Sequence, residues 1–254
     1  MPVALALSPH LDDAAFSCGG TLALLARRGW QVVLCTVFTA TVDNPTGFAL
    51  ACQTDKGVGP EVDYMALRRD EDRAAAEALG LGAPLWLPFP EAPHRGYGSA
   101  AELFGALRPD DGITEPVAEA IGALVQSLAP DLLLAPQAVG GHVDHVAVVD
   151  VIRRLAPAEP IAWWRDSPYA ARDGAPAEPF RDGMAALPED QVVLTPEPLA
   201  AKRAACLAYG SQIPFQFGGP DGLDATLARS GTVERFRLQG AVNFRPPEPP
   251  AAPA

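Results

Sequence analysis

Two periods of apolar and polar residues alternate along this chain. Short, nearly unbroken apolar runs occur at Val3 to Leu7, Gln31 to Phe38, Leu85 to Leu87, Leu132 to Ala135, Ile161 to Trp164 and Val192 to Leu194. Their length and their content of Val, Leu, Ile and Trp predict buried strands. Helical spacing fills the intervals. Phe16 to Arg28 ends at Gly29, and Tyr64 to Leu79 ends at Gly80. Glu115 to Leu128 places Val117, Ile121, Leu124, Val125 and Leu128 at helical intervals. Val143 to Leu155 and Pro198 to Tyr209 complete the set, the last with a proline just inside its start. Gly19-Gly20 lowers helix propensity near the start of the first helix, and is open between permitting close packing on a sheet and simply being tolerated. Strand, helix and strand in turn predict right-handed βαβ units, hence a single α/β domain with a mostly parallel sheet.

Three polar stretches rich in Gly and Pro interrupt this order, at 39–60, 88–111 and 165–190. Loops of that length in a compact domain are usually functional or disordered, and these are expected to gather around the strand ends. Residues 245–254 carry too little apolar surface to order themselves, so the domain is assigned to 1–244 and the Pro-rich remainder to a disordered tail.

Composition narrows the class. The chain has 254 residues, 48% of them hydrophobic, which suffices for a sizeable core. A formal net charge of −12 argues against binding to nucleic acid or to anionic membrane. No apolar run is long enough to span a bilayer, and the first residues lack the form of a signal peptide. Cys18, Cys35, Cys52 and Cys206 form no C-x-x-C pair and read as reduced thiols, which points to a cytoplasmic protein. Cys18 stands close enough to the first motif below to be weighed, as a minor alternative, as a metal ligand. Oligomeric state leaves no mark in the sequence.

Three of the four histidines lie in two short motifs, Pro9-His10-Leu11-Asp12-Asp13 and His142-Val143-Asp144-His145. Each follows a predicted strand, where open α/β sheets place their ligands. An open hydrolytic metal site needs about three protein ligands and a free position for water, and His and Asp are ligand types that zinc takes. His10 and Asp13 are three apart at a strand-to-helix turn; His142 and His145 are three apart at a helix start and share a face. Four protein ligands would close the site, so one of these groups is expected to be free for chemistry. Asp12, beside a ligand, is placed to act as general base on the water that the ion activates. A second histidine that does not bind the ion suits an oxyanion or a leaving amine. The parts add up to metal-assisted amide hydrolysis. No G-x-S-x-G elbow supports acyl-enzyme chemistry, and His-Leu-Asp-Asp in place of a glycine-rich turn argues against a nucleotide-binding module.

These motifs resemble the paired signatures of the LmbE/PIG-L family of zinc-dependent N-deacetylases. The resemblance implies a Rossmann-like three-layer αβα architecture and removal of an acetyl group from an N-acetylated amino sugar or a related small glycoside. It further implies His10, Asp13 and His145 as metal ligands, Asp12 as general base and His142 as the group that assists at the oxyanion or leaving amine. Arg68 and Glu71 resemble an R-x-x-E pair whose arginine contacts substrate in some members. Lys202 and Tyr209-Gly210-Ser211-Gln212 resemble a C-terminal K…Y-x-S-Q signature. The likeness runs over about the first 212 residues in motif order. The chain departs from it at Leu11, Ala14 and Val143, where Pro, Glu and Pro are common. It also departs at Gly140-Gly141, where some members carry a catalytic tyrosine. The ion implied is Zn²⁺, although His and carboxylate ligands suit Fe²⁺ or another divalent ion as well.

Blander assignments compete at several positions. Asp12 has the alternative of capping the following helix, and Asp144 reads as a structural partner of a histidine. Arg68 is open between a solvated helix charge and a substrate clamp. Arg69, Asp70, Asp72 and Arg73 read as a solvated helix face, and His94 as a surface histidine. Trp163 and Trp164 read as core. Tyr169 is open between core and site, and Ser211 and Gln212 between pocket and cap.

Overall fold

The computed structural model describes residues 1–172, 174–230, 232–242 and 244. In chain order the strands are β1 (Val3–Ser8), β2 (Gln31–Thr36), β3 (Leu85–Trp86), β4 (Leu132–Pro136), β5 (Ile161–Trp164), β6 (Glu189–Val193) and β7 (Val233–Gln239). The helices are α1 (Asp13–Arg27), α2 (Gly47–Thr54), α3 (Tyr64–Ala78), α4 (Ala100–Leu103), α5 (Thr114–Leu128), α6 (Val143–Leu155), α7 (Arg181–Ala185), α8 (Pro196–Ala208), α9 (Ile213–Phe217) and α10 (Pro220–Ser230).

The strands form one sheet in the order β3-β2-β1-β4-β5-β7-β6. β1 pairs in parallel with β2 and β4, and β5 continues the parallel run. Side chains alternate across this sheet. Ala4, Ala6, Leu132 and Leu134 enter a core with α1, α3 and α8, whereas Leu5, Leu7, Leu133 and Ala135 enter a second core with α5 and α6. Burial on both faces explains why these strands are apolar at every position. Trp163 and Trp164 fall one on each side, both buried, so their aromatic surface is core. The architecture is the α/β domain with a mostly parallel sheet that the alternating periods predict, in the three-layer form that the resemblance implies.

Two antiparallel strands extend the sheet at the far edge: β7 runs against β5, and β6 against β7. The periodicity of the sequence misses β7, because Glu234 is a carboxylate at a buried position. It accepts from the backbone N–H groups of Gly20 (3.0 Å) and Thr21 (2.7 Å), the Thr21 hydroxyl (2.6 Å) and Lys202 Nζ (2.6 Å). Removing one partner of such a buried pair costs about 3–5 kcal/mol, so Glu234 clamps β7 to α1 and α8. Gly20 lets α1 approach this junction closely: a Cβ there would lie 2.3 Å from Leu194 Cδ1 and would have to displace that side chain.

Other boundaries move. α1 begins at Asp13, not Phe16, because the Ser8 hydroxyl accepts from the Ala14 N–H at 3.1 Å and starts the helix earlier. The three long loops hold short elements too brief for periodicity to reveal. These are α2 in the first, a 3-10 turn (Ala92–Arg95) and α4 in the second, and a 3-10 turn (Tyr169–Ala171) and α7 in the third. α9 and α10 follow α8, where no element is predicted. The tail assigned to 245–254 lies outside the described residues. Among those described, no helix is long and apolar enough to cross a membrane, and all four cysteines are free.

Candidate active site

β1 and β4 are neighbours, but the chain leaves β1 toward β2 and β4 toward β5. The crevice opened by this divergence is where an open α/β sheet binds ligand, and both histidine motifs border it. After β1 the turn is knitted from within. The Ser8 hydroxyl donates to the His10 carbonyl at 2.7 Å, and the His10 N–H donates to Asp13 Oδ2 at 2.8 Å. Asp12 takes a φ of +153°, a conformation rare for L residues. It makes no capping hydrogen bond, so the alternative of a plain helix cap is not what the fold uses. Its carboxylate instead stands 3.6 Å from the Arg68 guanidinium. After β4, His142 occupies the N-cap of α6, where its Nδ1 accepts from the Asp144 N–H at 3.2 Å. Nδ1 as acceptor leaves the ring proton of a neutral imidazole on Nε2.

His10, Asp13 and His145 converge across 132 to 135 residues of chain. Each offers one ligand atom, and these atoms lie within 4.8 Å of one another. Asp13 Oδ2 is 3.3 Å from His10 Nδ1 and 3.1 Å from His145 Nε2. The other nitrogen of each imidazole is held from behind, His10 Nε2 by Asp144 at 2.9 Å and His145 Nδ1 by Asp166 at 2.7 Å. Carboxylates behind metal-binding histidines fix their tautomer and raise their basicity. His145 Nε2 is fully buried and faces Asp13 at 3.1 Å without the geometry of a hydrogen bond. Two imidazoles and one carboxylate whose free atoms converge in this way fit a divalent ion. His10, His142 and Asp144 lie equally close, but Asp144 is committed to His10, to the Ala92 N–H (3.1 Å) and to Arg95 (2.8 Å). A cation there would face the guanidinium. Cys18 belongs to neither group.

The electrostatics separate the two central carboxylates. Burial, and then the Asp13 charge, pushes Asp12 up to about 7 against the pull of Arg68. Burial opposes ionisation of Asp13 too, but His145 and His10 hold its carboxyl well below the usual range. Burial, then the neighbouring His10 charge, depresses His142 to about 3, so it is a neutral imidazole at physiological pH. Burial opposes the charge on His145, yet Asp13 and Asp166 raise it to about 9.

Comparison with known proteins agrees with this geometry. The family model described as PIG-L, GlcNAc-PI de-N-acetylase, matches residues 5–156, both motifs included. A 2'-N-acetylparomamine deacetylase of Streptomyces fradiae is 34% identical over 212 residues, covering 82% of this chain and 72% of that protein. The chain belongs to the PIG-L family. A second 2'-N-acetylparomamine deacetylase, from Niallia circulans, is 29% identical over 84% of this chain and 81% of its own. Among solved structures, the zinc-inhibited form of the teicoplanin deacetylase Orf2 superposes with a TM-score of 0.78. It is 27% identical and covers 93% of this chain and 97% of its own. The A40926 pseudoaglycone deacetylase Dbv21 gives 0.76 at 27% identity over 93% and 96%.

A cavity of about 230 Å³ opens above the PIG-L motifs. Its walls come from all three long loops, through Cys52 and Lys56, Glu91 and Phe104, and Tyr169. Arg68 lines it from α3, bonded to Glu91 and to the Leu11 carbonyl (3.1 Å). The two further family signatures meet behind it. Glu71 accepts from the Ser211 N–H (2.6 Å) and hydroxyl (2.7 Å), and Gln212 donates to the Tyr64 hydroxyl (2.8 Å). Lys202 serves Glu234 rather than the cavity. One reading needs correction. Asp72 is not on a solvated helix face: it is 1% exposed and accepts from Tyr209 (2.6 Å) and Trp86 (2.8 Å). Arg69 likewise turns inward to the Thr39 carbonyl (2.6 Å), while Asp70 and Arg73 form an exposed pair. His94 is half-buried rather than free on the surface.

Sequence reasoning overlooked Asp166, Glu91, Arg95 and Asp111. Asp166 begins a loop and belongs to no motif, yet besides His145 it takes the N–H groups of Gln137 (3.1 Å) and Val139 (2.9 Å). Asp111 grips Arg95 at 2.8 Å, and Arg95 in turn grips Asp144. Position just after β5, the next strand of the parallel run, was the one available signal for Asp166. Replacement of Asp166 by Ala should lower metal affinity about 10–100-fold, measured by chelator competition; unchanged affinity would separate it from the ion.

Proposed function

We propose that this chain is a zinc-dependent N-deacetylase acting on an N-acetylated amino sugar. The observation that carries this reading is the convergence of His10, Asp13 and His145 beside a non-ligating Asp12, under a cavity of about 230 Å³. The relatives named above, deacetylases of 2'-N-acetylparomamine, supply the substrate class, and a zinc-inhibited form is known for the teicoplanin deacetylase.

His10, Asp13 and His145 would hold the ion. Bound there, zinc supplies Lewis acidity that polarises the acyl carbonyl and makes water more acidic. Asp12 takes the proton of the water that attacks the acyl carbon. The neutral His142 keeps its Nε2–H for the carbonyl oxygen as negative charge gathers on it. When the C–N bond breaks, the protonated Asp12 returns its proton to the departing nitrogen, and acetate and a free amine result. Arg68 meets the substrate at the cavity wall, where its charge also keeps Asp12 from rising further.

Acetate release from a panel of acetylated amino sugars and aminoglycosides, set against simple acetyl esters, tests the reading. Turnover of an N-acetyl sugar by the zinc-loaded protein is the expected result. Hydrolysis of esters alone would overturn it.

A further inference from the structure

Gly140 and Gly141, between β4 and α6, both have positive φ, at +101° and +74°. A Cβ at Gly140 would stand 2.7 Å from Cγ of Tyr169. The tyrosine ring thus lies directly on the Gly140 backbone, in a place that only glycine leaves free. Tyr169 arrives from the turn after β5, and the Asp166 carbonyl accepts the Ala170 N–H at 2.9 Å. The segment that orients His145 through the Asp166 carboxylate therefore also positions this ring.

Three further contacts fix it. The ring stands edge-on to His145, with centroids 5.8 Å apart and planes at 88°. It packs against Phe104 at 5.8 Å, and the Arg172 guanidinium lies 4.8 Å from its centre. Phe104 also meets His142 at 5.4 Å, so His142 and Tyr169 share one aromatic wall of the cavity. Of the described residues lining that cavity, Tyr169 is the one that bears a hydroxyl. A phenol keeps its proton at physiological pH, so this hydroxyl is a neutral donor. Among the described residues no group pairs with that hydroxyl, while the other tyrosine hydroxyls are engaged: Tyr97 donates to Asp111, Tyr209 donates to Asp72 and Tyr64 accepts from Gln212.

We propose that Tyr169 is a further catalytic residue of the deacetylation, its hydroxyl donating a hydrogen bond to the acyl carbonyl oxygen as that oxygen becomes negative, alongside His142 Nε2–H. The inference rests on the deacetylase reading above. The hydroxyl keeps its proton throughout, so the proton balance through Asp12 is unchanged. A neutral donor suits this wall, because a lysine or arginine so near Asp13 would form an ion pair with it and compete with the ion.

Tyr169→Phe keeps the ring and its contacts and removes only the O–H. In the zinc-loaded enzyme kcat should fall about 100-fold, the scale for loss of one oxyanion donor, with KM, zinc content and Tm unchanged. Calorimetry supplies a readout apart from turnover. The methylphosphonamidate of glucosamine, which mimics the tetrahedral state, should lose affinity by a similar factor, while glucosamine itself binds as before. An unchanged kcat and unchanged phosphonamidate affinity in a variant of an active wild type would overturn the role of Tyr169 and leave the deacetylase reading standing. A loss accompanied by equal loss of zinc would show a structural role and likewise overturn it. A wild type that releases no acetate from any acetylated amino sugar would remove the deacetylase reading and this role with it.

Discussion

Asp12→Asn should purify with a full complement of zinc and turn over about three orders of magnitude more slowly than the wild type, within the range for loss of a general base. The expected split follows from the turn after β1. Asp12 contributes no ligand atom to the His10, Asp13 and His145 group, so the ion does not depend on it. Asparagine tolerates positive φ about as well as aspartate, so the +153° conformation of the turn survives. Arg68 keeps Glu91 and the Leu11 carbonyl when the charge at position 12 is lost. What disappears is the carboxylate that adjoins Asp13 without belonging to the ligand group. Steady-state acetate release with parallel elemental analysis makes the comparison. A rate within twofold of wild type at full metal content would remove Asp12 from the chemistry.

The second large effect is on the ion. His145→Ala should lower zinc affinity by more than the about 100-fold that marks the loss of an outer partner, because it removes a ligand and leaves Asp166 buried without its imidazole. Affinity in the wild type should also depend on pH, and the sign follows from the geometry. In the ion-free protein, Asp13 and Asp166 keep His145 protonated up to about 9 despite its burial, and His10 is likewise raised by Asp13 and Asp144. Ion and proton compete for the same nitrogens. Affinity therefore falls as pH drops below about 9, by about one logarithmic unit per pH unit for each proton displaced. Chelator competition between pH 6 and pH 9, with proton release followed in weak buffer, measures this. A flat profile, or zinc retained by His145→Ala at wild-type affinity, would exclude His145 as a ligand.

The sequence by itself determined the parallel core and the two motifs. Unbroken apolar runs such as Leu132 to Ala135 are legible because a strand buried on both faces has no polar position, and α6 and β5 lie where the spacing places them. The motifs are legible because a strand-end turn and a helix start put residues three apart on one side, a local property of the chain. Tertiary structure alone decided the partners. Asp166 stands 21 residues from His145, and Lys202 stands 32 from Glu234, in no local pattern. Buried carboxylates like Asp72 and Glu234 look like surface residues in a one-dimensional pattern, because only folding brings the donors that make their burial tolerable. For the same reason Tyr169 reaches the site from a loop: the space it fills exists only once Gly140 and β5 have been brought side by side.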